Sequence, residues 1–212
     1  YLQTQTDWHH NFGLDNNQEG MIIGKMFGVL IVRNNENEIG YLAGFSGKMA
    51  GTNHLPKFVP PVFDSLYENS FVNVGMIELT NIISEIKKAE DEKREGYEKE
   101  IEKLKEKRKN HSTALQNKIF DHYHFLNQNR EEKCLREIFE NAGYKNPPVG
   151  AGECAGPKLL QYAFQNNMQP IALAEFWWGQ SPKTDTWKHR EYYACCKEKC
   201  EPILRHMISK MV

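Results

Sequence analysis

The sequence predicts an α+β fold: a small sheet packed by helices, with a long helical segment inserted into it. Three observations carry that expectation. An apolar, β-branched run at Met21–Val32 is followed by a polar turn and a second apolar run at Ile39–Phe45. A charged stretch with apolar residues at helical spacing fills the middle of the chain. The last third alternates a helical pattern with the compact apolar run Ile171–Trp178.

Length and composition set the frame. The chain has 212 residues, of which 40% are apolar and 11% aromatic, enough for one sizeable core and an insertion. Its formal net charge of −1 excludes a global pull toward nucleic acid or membrane, so any contact with RNA needs a local basic patch. No apolar run approaches the roughly 20 residues that span a bilayer. The five cysteines, Cys134, Cys154, Cys195, Cys196 and Cys200, are odd in number and include an adjacent pair. This argues against a disulfide framework and for a reducing cytoplasm.

Residues 1–75 are expected to form the first part of the core. Residues 1–20 are polar, apart from Trp8, His9, His10 and Phe12, and read as irregular. Met21–Val32 reads as a strand buried on both faces. Arg33–Glu38 is the turn, and Ile39–Phe45 the return strand of a hairpin. Glycines and prolines mark 46–75 as loop, with a short helix expected near Phe63–Tyr67.

Residues 76–141 read as two helices forming a hairpin or coiled-coil arm. Met76, Leu79, Ile82 and Ile86, then Tyr97, Ile101 and Leu104, then Leu115, Ile119 and Leu126 recur at helical spacing. Nine acidic and ten basic side chains between Glu85 and Lys109 fit a solvated face. Asn110–Thr113 is the expected reversal, with Ser112 or Thr113 as N-cap.

Residues 142–212 complete the core. A Gly/Pro loop spans Gly143–Gly152, and Pro157 suits the first turn of a helix reaching Asn167. Ile171–Trp178 is the further strand. Gly179–Arg190 is a polar, basic loop, and Tyr192–Met211 reads as helix, with a possible break at Pro202.

Four constellations could carry chemistry. Cys154, Cys196 and Cys200 could hold zinc, with water or His189 as fourth ligand; the bland alternative is three buried apolar thiols. Cys154 at a helix start could be a nucleophile, with His189 or His206 as base, although no peptidase signature surrounds it. Gly150, Gly152, Gly156 and Lys158 could cradle phosphate, but a tight turn explains them better because no strand precedes them. Trp177, Trp178, Lys183, Trp187, Lys188, His189, Arg190, Tyr192 and Tyr193 interleave rings and cations, which suits unpaired RNA; core packing of the two tryptophans competes.

Three blocks resemble the N-terminal extension of a subset of RluA-type RNA pseudouridine synthases. They are Gly24–Leu30 with Glu38–Lys48, Gly150–Leu160, and Ala174–Gly179 together with Cys196–Leu204. The resemblance implies an accessory part of an isomerase that modifies tRNA or rRNA in the cytoplasm, whose catalytic domain would follow Val212. The His-Arg-Leu-Asp motif of that family is absent; His189-Arg190-Glu191 runs on into Tyr192-Tyr193. The segment is therefore expected to position RNA rather than to catalyse. Lys158, Trp178, Lys183, Lys188, His189 and Arg190 are the candidate RNA contacts, and the arm is a candidate for self-association or for clamping the catalytic domain.

The order hairpin, helix, strand, helix also resembles the core of zinc-dependent deaminases. There the first ligand is followed two residues on by Glu, and the second pair is Cys-x-x-Cys. Here Gly156 stands at the Glu position and Cys196 and Cys200 are one residue further apart, so the resemblance implies the fold without the reaction.

Overall fold

A computed structural model describes residues 1–5, 7–15 and 17–209. It is α+β, with five helices and two small antiparallel sheets among the described residues. The chain divides into two units: residues 1–62 with 123–212, and residues 63–122.

In the first unit, β1 (Lys25–Arg33) lies between β2 (Ile39–Phe45) and β5 (Gln169–Trp178), and β6 (Tyr192–Tyr193) extends the sheet beyond β5. Every pairing is antiparallel. The β1–β5 register runs from Lys25 opposite Trp178 to Arg33 opposite Gln169 and slips between Ile31 and Val32. The slip leaves Ile171 over, as a bulge does, beside Pro170, which has no N–H to give.

A second hairpin pairs β3 (His124–Leu126) with β4 (Glu132–Cys134). The two hairpin turns share one design. Asn34 and Asn127 each accept, through Oδ1, the backbone N–H groups two and four residues on, at 2.9–3.0 Å. Each asparagine amide then donates to the glutamate that closes its turn, Glu38 or Glu131. The fourth residue, Asn37 or Arg130, takes a positive φ.

Helices α3 (Leu135–Asn141), α4 (Ala155–Gln165) and α5 (Glu201–Met207) complete this unit. Helix α4 packs on the sheet face that carries Gly28 and Leu30. A β-carbon on Gly28 would stand 2.8 Å from Leu159 and 3.2 Å from Ala155, so the missing side chain sets how closely the helix seats. Leu30, Phe125, Leu135, Phe139, Leu159, Ile203 and Met207 are all fully buried. On the opposite face, Trp8 and Phe12 from the irregular N-terminal segment pack with Phe27, Phe45, Met49 and Trp178.

The second unit is a helix pair, α1 (Phe71–Glu92) and α2 (Tyr97–Asp121). Ser70 caps α1 by accepting the Asn73 N–H at 3.1 Å. Ile82, Ile86 and Ile101 form its buried seam, with Ala89, Tyr97 and Leu104 beside them.

Several expectations need correction. The reversal is at Lys93–Gly96, where Lys93 and Gly96 take positive φ, and α2 runs straight through Asn110–Thr113. No helix forms at Phe63–Tyr67. Residues 123–141 are not part of the arm: Tyr123 onward makes β3, β4 and α3 in the core, because Phe125, Leu135 and Phe139 need a surface broader than a helix seam to bury them. The arm unit instead begins at Phe63. Met21–Gly24 precede β1 and are not buried on both faces; Met21 is 79% exposed. The final helix is confined to Glu201–Met207, with Pro202 in its first turn rather than breaking it. The expected helical end at Lys210–Met211 lies outside the described residues.

Gly28→Val drives methyl groups into Leu159 and Ala155. It should lower stability by about 3 kcal/mol, measured by urea unfolding, because overpacking at a helix–sheet contact has no free volume to relax into.

Candidate functional site

Two chain segments bring three thiols together at the start of α4. Cys154 is the N-cap residue of that helix, in extended conformation. Cys196 and Cys200 lie on the turn that enters α5, where the Cys196 carbonyl accepts the N–H groups of Cys200 and Glu201. The two thiols are therefore brought together by a turn, not within the helix expected over Tyr192–Met211, and Cys200 is only the N-cap of α5. The Cys196 and Cys200 sulfurs are 3.3 Å apart. All three sulfurs lie within 4.8 Å of one another. Zinc–sulfur bonds at tetrahedral angles place sulfurs about 3.8 Å apart, so the cluster has the size a metal ion needs.

Cys154 is not poised as a nucleophile. Hydrogen bonding with Cys196 favours the Cys154 thiolate. The bond with Cys200, burial, and the charges of Cys200 and Glu175 outweigh it and push the pKa up. Cys196 is pushed up as well, by its bond with Cys154 and by burial. The expected bases stand elsewhere: His206 Nε2 is 2.9 Å from the Phe125 carbonyl, and His189 Nδ1 accepts the Gly179 N–H at 3.1 Å. His189 is likewise not part of the sulfur cluster.

Buried and half-buried polar groups lie near the cluster, and the sequence reading passed over most of them. Glu175, the one charged residue of β5, is buried; its Oε1 accepts the Gly156 N–H at 2.9 Å. Burial raises its pKa, and the Gly156 bond offsets this in part. Glu153 accepts the phenol proton of Tyr123, whose pKa is raised by burial and by that carboxylate. Burial lowers the pKa of Lys25 and Lys158, and Glu153 opposes the shift in both. The available signals were a lone acid inside Ile171–Trp178 and an acid adjoining Cys154.

The glycine loop is a tight turn. Gly152 has φ +92°, and the Tyr123 ring fills the space a β-carbon would need. The donors a phosphate would use are committed, Gly156 to Glu175 and Lys158 Nζ to the carbonyls of Phe45 and Gly47, both at 3.2 Å. Lys158 is 3% exposed and so is withdrawn from the surface contacts expected of it.

The 179–193 loop is a closed hairpin extension. Trp177 donates to the Glu191 carbonyl and accepts from the Arg190 N–H. Trp187 stacks on Trp177 and meets Tyr193 edge-on, and the Tyr193 hydroxyl accepts the Lys188 N–H at 2.7 Å. Lys183, Lys188 and Arg190 are exposed on this aromatic frame. Trp178 is buried, with the His189 ring edge-on to it and the Arg190 guanidinium 5.4 Å from its ring centre. Burial and the Arg190 charge lower the His189 pKa.

Fold and site together define an α+β protein with a three-thiol cluster in which Cys200 is buried and Cys154 and Cys196 are half-buried. Compared with known protein families, with curated proteins and with solved structures, the chain matches none. No helix among the described residues is long and apolar enough to cross a membrane.

The raised pKa of Glu175 gives a signed prediction. The folded state holds this proton more tightly than the unfolded chain, so folding is penalised increasingly as pH rises above the ordinary carboxylate range. Glu175→Gln keeps an oxygen for Gly156 and should gain stability at pH 7.5, the gain shrinking toward zero near about pH 4. Urea unfolding of both proteins at the two pH values reads it.

Proposed function

We propose that this chain is a non-catalytic RNA-recognition and positioning domain, tied together by zinc, that serves a tRNA or rRNA pseudouridine synthase. The observation that carries the reading is the 179–193 hairpin. Its rings brace one another, while Lys183, Lys188 and Arg190 stay exposed. Cations held on a rigid aromatic frame neutralise phosphates with little ordering cost. The resemblance of the three sequence blocks supplies the pseudouridine synthase, and the catalytic domain of the same protein is the proposed partner. A reducing cytoplasm suits five free thiols.

Zinc is the proposed cofactor. Cys154, Cys196 and Cys200 would hold it as thiolates, a donor set that suits a borderline-soft ion. Bound there, it would fasten the end of the RNA-facing hairpin to the start of α4. The helix pair is read as a coiled-coil arm for self-association or for docking the catalytic domain; Val74, Met76, Ile77 and Ile83 are its exposed apolar residues.

A deaminase-like core is a second reading. It is favoured by the ligand positions, Cys154 opening the helix before β5 and the Cys196–Cys200 turn after it. The carboxylate that such chemistry takes from the ligand helix is missing at Gly156, though Glu175 reaches the same backbone N–H from β5. Release of ammonia from a cytidine-containing transcript would favour this reading over the first.

Metal analysis of freshly purified protein should find one zinc per chain. Cys200→Ser should remove it and lower the unfolding midpoint by roughly 5 °C or more. Binding to structured RNA should weaken steeply with salt, and Lys183→Gln or Lys188→Gln should each reduce the salt slope by about 1. Zinc-free purified protein, or no binding to any tRNA or rRNA fragment at low salt, would refute the corresponding half of the proposal.

A further inference from the structure

Beside the hairpin lies a cleft of about 440 Å³, between the N-terminal segment and the residues that follow β5. Leu2 and Leu14 give it apolar walls, and Trp178, His189, Arg190 and Asp15 also line it. That volume lies within the range of small-ligand sites.

One feature of its lining calls for a ligand. The Trp178 side chain is 9% exposed, and its indole N–H is buried without a hydrogen-bond acceptor. Buried tryptophan N–H groups usually find a partner, and leaving one unmet costs about 1–3 kcal/mol. Around it the polar groups are complementary. The Gly179 N–H occupies His189 Nδ1, so the neutral imidazole carries its proton on Nε2 and is a donor there. Arg190 adds a cation that is already set against the indole, and Asp15 adds an acceptor.

We infer that this cleft receives one unpaired nucleobase of single-stranded RNA. A base is flat and apolar on its faces and presents carbonyl and amino groups at its edge. Apolar walls with donors and an acceptor between them match that pattern. The exposed cations of the adjoining hairpin would take the phosphates on either side of the bound nucleotide. The inference rests on the RNA-binding reading and adds to it a site and a class of ligand. It also makes unpaired strand, rather than duplex, the preferred substrate, because a paired base has no free edge to offer.

The test uses the full chain and eight-nucleotide RNAs of each base, with a duplex of equal length as the comparison. Single strands should bind about tenfold or more tighter than duplex. Trp178→Phe keeps a ring but removes the N–H, and Arg190→Gln removes the cation at the surface without touching the core. Each should weaken single-strand binding by about fivefold, the size of one hydrogen bond. Trp178→Phe should leave duplex binding unchanged, and Arg190→Gln, which also removes a phosphate-facing cation, should weaken duplex binding less than single-strand binding. Lys183→Gln should weaken single strand and duplex alike. If single strands bind but neither Trp178→Phe nor Arg190→Gln changes their affinity, or if duplex binds as tightly, the cleft is not a base site, while the RNA-binding reading stands. If neither kind of RNA binds at low salt, that reading falls and the cleft with it.

Discussion

The close seating of α4 on the central strand is the contact on which the rest of the site depends. Gly28 leaves no side chain between the sheet and Leu159, so the first turn of the helix sits directly over the β1–β5 pair. Two things follow. Cys154, at the helix cap, is brought to the Cys196–Cys200 turn. Glu175, opposite Gly28 on β5, reaches the Gly156 N–H and is buried. A bulkier residue at 28 would lift the helix and separate both pairs, so one missing side chain sets the geometry of thiols and carboxylate together.

That close packing also explains why so many ionisable groups can be buried in one place. Glu153 takes the Tyr123 hydroxyl and sits in the field of Lys25 and Lys158, and Lys158 places its ammonium on the carbonyls of Phe45 and Gly47. Each burial penalty is met by a partner, as buried charge requires. Lys158 thus staples α4 to the end of β2, a structural duty its position in a glycine-rich, helix-opening segment does not reveal.

How much of this could be read from the sequence depends on whether the cause was local. The hairpin, the strand at 169–178, the helix opening near Pro157 and the alternation of helix and strand all follow from periodicity and turn chemistry, which act over a few residues. The three thiols could be grouped because each lay near an expected element boundary, yet their actual geometry comes from a turn, since α5 begins at Glu201, too late to carry Cys196. The partners of Lys158 and Glu175 lie far away in the chain, as in the 113 residues between Lys158 and Phe45, and no spacing rule reaches across such a gap. The helix reversal was misplaced for the opposite reason. Asn110–Thr113 has the composition of a turn, but a long helix tolerates four polar residues when Leu115 can still fill the space left by Gly75.

The same distinction bears on the aromatic hairpin. Trp177 and Trp178 are neighbours on one strand and face opposite sides of the sheet. Trp177 turns toward Trp187 and so stiffens the hairpin; Trp178 turns into the core formed with Phe12 and Phe27 and leaves its N–H unmet. One residue therefore fixes the shape of the loop while the next supplies a polar group at the edge of a cavity. An all-core role would account for the packing of Trp178 but not for an indole donor without an acceptor. An all-surface role would account for the donor but not for the burial. A side chain packed in the core on one edge and lining the cleft on the other satisfies both.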